Sequence, residues 1–233
     1  MKKITDAVVF LLFTYPCGVF IGISFWLSIF LGITKVYGWK NFPSWQVKVL
    51  VVSNNPSLLE PIILVGLFFH QFFWRPFKYA PWNMAEKKNY GNLLFCPARS
   101  RLILIERGNK YSEARGLIRA KNILNSGGVM IIFPEGGRTV NGESFLASKG
   151  GNRIRRFKSG FARLAVETGA TVLPIWVEGT DRVFPNGAKV SYFRFPRFWK
   201  KVVIKLGQPL HFKHESLEEI RQTVEAAILE LAD

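Results

Sequence analysis

Three short polar clusters interrupt an otherwise apolar, aromatic-rich chain of 233 residues, and each follows a run of strand-forming residues. The first reads Asn54-Asn55-Pro56-Ser57-Leu58-Leu59-Glu60-Pro61, the second Glu106-Arg107-Gly108-Asn109, and the third Pro134-Glu135-Gly136-Gly137-Arg138-Thr139. In the third, paired glycines let the backbone approach a ligand and free its amide groups to point at it. Arg138 adds a planar fork that matches phosphate oxygens in pairs. Glu135 is placed to hold that arginine or a substrate hydroxyl. Arg107 ends a strand expected to neighbour the strand before Pro134, so both arginines are expected to face one anion. In the first cluster, a helix starting near Pro56 would bring Glu60 back toward Asn55 by about one turn. A carboxylate would then orient its neighbour beside a phosphate-binding loop.

Strands must present these clusters. Residues 47–52, 102–105, 129–133, 171–177 and 201–206 read as strands, rich in β-branched and aliphatic residues. Between them fall helices. Residues 61–74 are apolar nearly all round but too short to span a bilayer, and read as a buried core helix. A helix over about 112–125 is closed by Gly127-Gly128. Another over about 157–168 carries Phe161, Leu164, Ala165 and Thr168 on one face and stops at Gly169. The last opens with a capping box, Ser216 and Glu219, and repeats apolar residues at helical spacing from Leu217 to Leu231. Strands alternating with helices predict an α/β fold with a mostly parallel central sheet flanked by helices. In such sheets, sites gather where strands end.

Residues 7–33 are apolar apart from a few hydroxyl and small residues, and exceed the roughly 20 residues needed to cross a bilayer as a helix. Lys2 and Lys3 give a signal-like basic start, but the run is too long for a signal core and no cleavage site follows. Pro16-Cys17-Gly18 near its middle leaves a single helix and a re-entrant hairpin both open. The expected organisation is a membrane segment over 1–36 and an α/β domain over 37–233.

Composition agrees with this division. Apolar residues make up 48% of the chain and aromatics 15%, with 21% charged residues, too many for a polytopic membrane protein. Lys and Arg number 32 against 16 acidic residues, a formal charge of +16 that attracts polyanions. No basic recognition helix, zinc-ligand spacing or aromatic-basic strand signature points to nucleic acid, so an anionic membrane surface is the expected partner. Cys17 and Cys96 have no partner at metal-ligand or redox spacing, which fits a reducing compartment.

Together, Ser-Asn-Asn-Pro-Ser-Leu-Leu-Glu-Pro, Leu-Ile-Glu-Arg, Phe-Pro-Glu-Gly-Gly-Arg-Thr and Leu-Pro-Ile-Trp-Val-Glu-Gly-Thr resemble the four sequence blocks of the glycerophospholipid acyltransferases, in family order over roughly residues 45–210. The best-known members are the 1-acyl-glycerol-3-phosphate acyltransferases. Phe157-Lys158-Ser159-Gly160 and Leu206-Gly207-Gln208-Pro209 resemble the connecting segments. The resemblance implies transfer of a fatty acyl group from acyl-CoA or acyl carrier protein to a lysophospholipid hydroxyl in phospholipid biosynthesis. It implies no cofactor beyond that acyl thioester and no metal. It also implies a cell-membrane location with the catalytic domain on the cytoplasmic face.

In the family the first block is His-x4-Asp, a general base and the acid that orients it. Those positions are Asn55 and Glu60 here. The phosphate-binding positions carry over to Arg107, Glu135, Gly136, Gly137 and Arg138, with Lys87 or Lys88 matching a basic residue between blocks. Glu60 keeps the charge of the acid. Asn55 has no proton affinity near pH 7 and cannot act as a general base. His70, His211 and His214 lie on a packed helix and after the last strand, and offer no replacement. The alternative implied is a catalytically impaired protein that binds anionic phospholipid without acyl transfer.

Overall fold

The computed structural model describes residues 2–43, 45, 48–91, 93–141, 144–185 and 197–233. In chain order its helices are α1 (Lys2–Val9), α2 (Tyr15–Phe30), α3 (Glu60–Leu67), α4 (Phe69–Trp74), α5 (Pro76–Tyr79), α6 (Lys87–Tyr90), α7 (Lys110–Asn125), α8 (Gly160–Thr168), α9 (Thr180–Val183) and α10 (Leu217–Ala232). The strands are β1 (Thr34–Tyr37), β2 (Val49–Ser53), β3 (Trp82–Glu86), β4 (Leu102–Ile105), β5 (Val129–Ile132), β6 (Phe145–Ala147), β7 (Arg153–Arg155), β8 (Thr171–Glu178) and β9 (Val202–Leu206). Val47, expected in the first strand, lies outside the described residues.

Seven strands form one sheet in the order β1-β9-β8-β2-β5-β3-β4, and β6 and β7 form a separate hairpin. All pairs in the large sheet are parallel except β8 with β9. The expected mostly parallel α/β architecture is therefore present. Period-two alternation divides each central strand between two cores. Leu50, Val52, Met130 and Ile132 face α7, α8 and α10, against Ala120, Leu124, Phe161 and Val224. Val49, Val51, Val129 and Ile131 face the other way, onto Leu64, Phe68, Phe72, Phe10 and Phe25.

Two expectations change, and two features of the N-terminal segment are added. β3 lies between β5 and β4, so the strands before Arg107 and Pro134 are not neighbours. Trp82-Asn83-Met84-Ala85-Glu86 contains no β-branched residue, and its alternate burial is a property of the packed sheet. Residues 61–74 form two helices, α3 and α4, divided at Phe68. β1 straddles the boundary expected at residue 36 and pairs with β9 in the main sheet. Last, the N-terminal segment does not turn back. α1 and α2 run on through a π turn, Phe10–Thr14, in which Tyr15 N–H bonds Phe10 O. Pro16 lacks the N–H that would continue the ordinary ladder, and the wider turn just before it lets the helix proceed.

Candidate active site

Because β2, β3, β4 and β5 are parallel, their C-terminal ends open on one side, and the loops leaving them line a cleft of about 660 Å³. Asn55, Arg107, Gly136, Gly137 and Arg138 all line it. The convergence of Arg107 and Arg138 expected from sequence is therefore present, reached across β3 rather than from adjacent strands. Leu58, Met84, Leu117, Ile132 and Phe133 supply an apolar wall to the same cleft. Of the two lysines considered between blocks, Lys88 lines it, while Lys87 bonds Glu106 at 2.7 Å.

Glu60 and Glu135 are not among the lining residues. Glu135 is 2% exposed and works beneath the loop. Its Oε1 accepts from Asn55 N–H at 2.8 Å and from the Thr139 hydroxyl at 2.8 Å, and its Oε2 accepts from Arg155 N–H at 3.0 Å. One buried carboxylate thus fixes three segments. Burial pushes its pKa up, opposed by those same donors. Asn55 completes the clasp: its Nδ2 donates to Gly137 O at 3.0 Å, and its own carbonyl accepts from Thr139 N–H at 2.9 Å. Gly136 has φ +67°, a left-handed conformation that favours glycine.

Glu60 opens α3 and is fully buried. Ser57 N–H lies 3.1 Å from each carboxylate oxygen, the Ser57 hydroxyl 3.1 Å from Oε1, and the Thr180 hydroxyl bonds the same oxygen. The expected Asn55–Glu60 pairing is not formed: α3 begins at Glu60 rather than near Pro56, and the two side chains bond different partners. Burial raises the Glu60 carboxyl to about 6, against the lowering effect of Thr180 and Ser57. Asn54 locks the loop to β8 by accepting from Val177 N–H and donating to Val177 O, both at 2.8 Å.

Several contributing residues were not singled out from sequence. Tyr90 is buried beside the cleft and donates to Leu58 O at 3.0 Å, and burial pushes its pKa up. Thr180 follows β8 just as the other clusters follow their strands, so the strand-end rule reaches it. Arg155 and Lys158 also line the cleft, one on β7 and one just before α8. Their signal is Arg153-Ile154-Arg155, an alternation in which only Ile154 is fully buried. None of His70, His211 or His214 lines the cleft; His70 is exposed and edges onto the Trp45 ring at 5.3 Å.

The acyltransferase family model matches residues 33–178, well over half of the chain. The chain belongs to the acyltransferase family. The matched span contains Asn55, Glu60, Arg107, Glu135 to Arg138 and Arg155, and ends two residues before Thr180. Among curated acyltransferases, a chloroplast 1-acyl-sn-glycerol-3-phosphate acyltransferase of Arabidopsis thaliana is 26% identical over 157 residues, 66% of this chain and 38% of that protein. A 1-acyl-sn-glycerol-3-phosphate acyltransferase of Borreliella burgdorferi is 26% identical over 165 residues, 70% of this chain and 58% of that protein. The chain thus spans less than two thirds of the length of these relatives. The crystal structure of the 1-acyl-sn-glycerophosphate acyltransferase from Thermotoga maritima superposes with a TM-score of 0.62 at 21% identity, covering 99% of this chain and 95% of that one. At that identity the likeness establishes the fold alone.

Proposed function

We propose that the cleft takes a lysophospholipid of the 1-acylglycerol-3-phosphate type together with an acyl thioester, and transfers the acyl group to the lysolipid hydroxyl. The observation that carries this reading is one cleft lined both by Arg107, Arg138, Gly136 and Gly137 and by the apolar residues Leu58, Met84, Leu117, Ile132 and Phe133. A phosphate and a hydrocarbon chain need that pairing of surfaces. Acyl-CoA and acyl carrier protein both supply the thioester. Residues 1–36 serve as the membrane attachment, apart from Thr34–Val36, which join the main sheet as part of β1, and 37–233 as the catalytic domain, placed on the cytoplasmic face.

In the transfer, the hydroxyl oxygen bonds the thioester carbonyl carbon, the carbon–sulfur bond breaks, and the hydroxyl proton passes to the departing thiolate. Asn55 stands where the family places its base, and an amide cannot take that proton. Turnover therefore relies on positioning and electrostatics, about 10²–10⁴-fold below a site with a general base. Purified protein incubated with lysophosphatidic acid and acyl-CoA or acyl carrier protein tests this beside Asn55→His, which should raise the rate by about that factor. Equal, measurable rates in the two proteins would show that position 55 does not act in proton transfer.

One observation favours a second reading, phospholipid binding without transfer: the Asn55 amide is already committed to the Gly137 carbonyl. No transfer by either protein, with lysophosphatidic acid still bound in an Arg138-dependent way, selects that reading.

A further inference from the structure

We propose that Arg155 is a further phosphate ligand, sharing with Arg107 one anion held above Gly137. The inference rests on the reading of the cleft as a lysophospholipid site, and adds a residue from outside the main sheet. A Cβ added at Gly137 would collide with Arg155 Nη1 and lie 3.4 Å from Arg107 Nη1. The two guanidiniums therefore flank one backbone position. Groups of like charge so close repel one another, and an anion between them removes the repulsion. Two planar forks beside one backbone position suit the oxygens of a single phosphate.

Arg107 is partly neutralised by Glu86 at 3.4 Å. Among the described residues, no carboxylate lies within 4.0 Å of the Arg155 guanidinium, and the Glu135 carboxylate acts on it only through space. Nor does the backbone demand glycine at 137, since the positive φ belongs to Gly136. What the missing side chain provides at 137 is room for the Arg155 head.

The arginine is also held in place without a ligand. Its N–H bonds Glu135 Oε2 at 3.0 Å, the carboxylate that also holds Asn55 N–H. Ile154 beside it is fully buried. On the far side of the hairpin, Asp233 accepts from Gly150 N–H at 2.8 Å and Lys149 N–H at 3.1 Å. Phe157 N–H bonds Glu225 at 2.6 Å, so α10 grips the segment at both ends. A ligand group fixed beforehand loses little freedom on binding.

The test measures affinity of the whole protein for lysophosphatidic acid in neutral detergent micelles, with monoacylglycerol as the phosphate-free control. Arg155→Gln should weaken lysophosphatidic acid binding about tenfold or more and leave monoacylglycerol binding and the melting temperature unchanged. Arg155→Lys should recover part of the loss, because charge returns without the fork. Gly137→Ala should weaken binding in the native background and add nothing in Arg155→Gln, since its effect runs through displacement of Arg155. Arg107→Gln and Arg138→Gln read the underlying site separately. Weakening by those two with native affinity in Arg155→Gln would overturn the inference and leave the lysophospholipid reading standing. Equal loss of monoacylglycerol binding in Arg155→Gln would reduce Arg155 to a structural role. Native affinity in all three Gln variants would remove both.

Discussion

At the scale of the residue, the two acidic positions of the site work by holding other groups. Glu60 shows this most clearly, because its carboxyl is raised to about 6 by burial. An acid with a folded-state pKa above its unfolded value of about 4.5 binds more protons folded than unfolded between those two values. Its contribution to stability is therefore fully present below about pH 4.5 and is lost as pH rises through 6. The native protein should gain about 2 kcal/mol relative to Glu60→Gln between pH 7 and pH 4.5. Paired denaturant titrations check this, since the other acids are common to both proteins; parallel profiles would mean that Glu60 is not desolvated. Asn55, Glu60 and Arg138 were legible in sequence because each follows an apolar run that ends abruptly in polar residues. Their partners were not. Thr180 meets Glu60 across 120 residues of chain, and Arg155 is one of several cations in Arg153-Ile154-Arg155-Arg156, distinguished only by the direction its hairpin gives it.

At the scale of the element, strands with β-branched runs and helices with caps were readable. The Ser216–Glu219 capping box opens α10 as its spacing requires, whereas α7 starts at Lys110, two residues before its expected start, capped by Asn109, which accepts from Ser112 N–H at 3.1 Å. Gly169 at φ +61° ends α8 where the apolar stripe stops. The sheet order was not readable, because β3 carries no β-branched residue and its insertion separates β4 from β5. Nor was the way the N-terminal helix docks. A Cβ at Gly22 would collide with the Phe69 ring, and a Cβ at Gly66 with the Phe25 ring, so α2 offers a bare patch to an aromatic side chain of α4 and α3 offers one to an aromatic side chain of α2. Gly66→Ala drives a methyl into the Phe25 ring, and overpacking of this kind costs about 1–3 kcal/mol. The variant should melt lower and become more open to proteolysis within α2, whereas the same change at the unobstructed Gly108 lacks this aromatic clash. Unchanged proteolysis of α2 in Gly66→Ala would contradict the interlock.

At the scale of the whole molecule, the docked helix leaves a broad apolar face uncovered. Among the described residues, one helix, Asp6–Phe30, is long and apolar enough to cross a membrane, and only 22% of its most apolar stretch is buried. Phe20, Leu27 and Phe30 are 72%, 53% and 86% exposed, and Trp74 and Phe77 extend the surface onto α4 and α5. An uncovered patch of this kind on an acyltransferase whose proposed substrate is a lipid is the surface expected to enter a bilayer. The net charge of +16 adds attraction to anionic headgroups, which salt screens within about 10 Å at 0.1 M. Two terms with different salt dependence can be separated. Raising salt should weaken binding to anionic vesicles and leave a residue of binding that neutral vesicles show as well. Phe20→Ser, Leu27→Ser and Phe30→Ser together should remove that residue, lowering partitioning by at least about a hundredfold, since each large apolar side chain contributes about 1.5–3 kcal/mol on transfer from water. Flotation at low and high salt, with a melt to verify folding, reads both terms. Complete release of the native protein by salt alone would mean that the apolar face does not enter the membrane and that charge alone holds the molecule there.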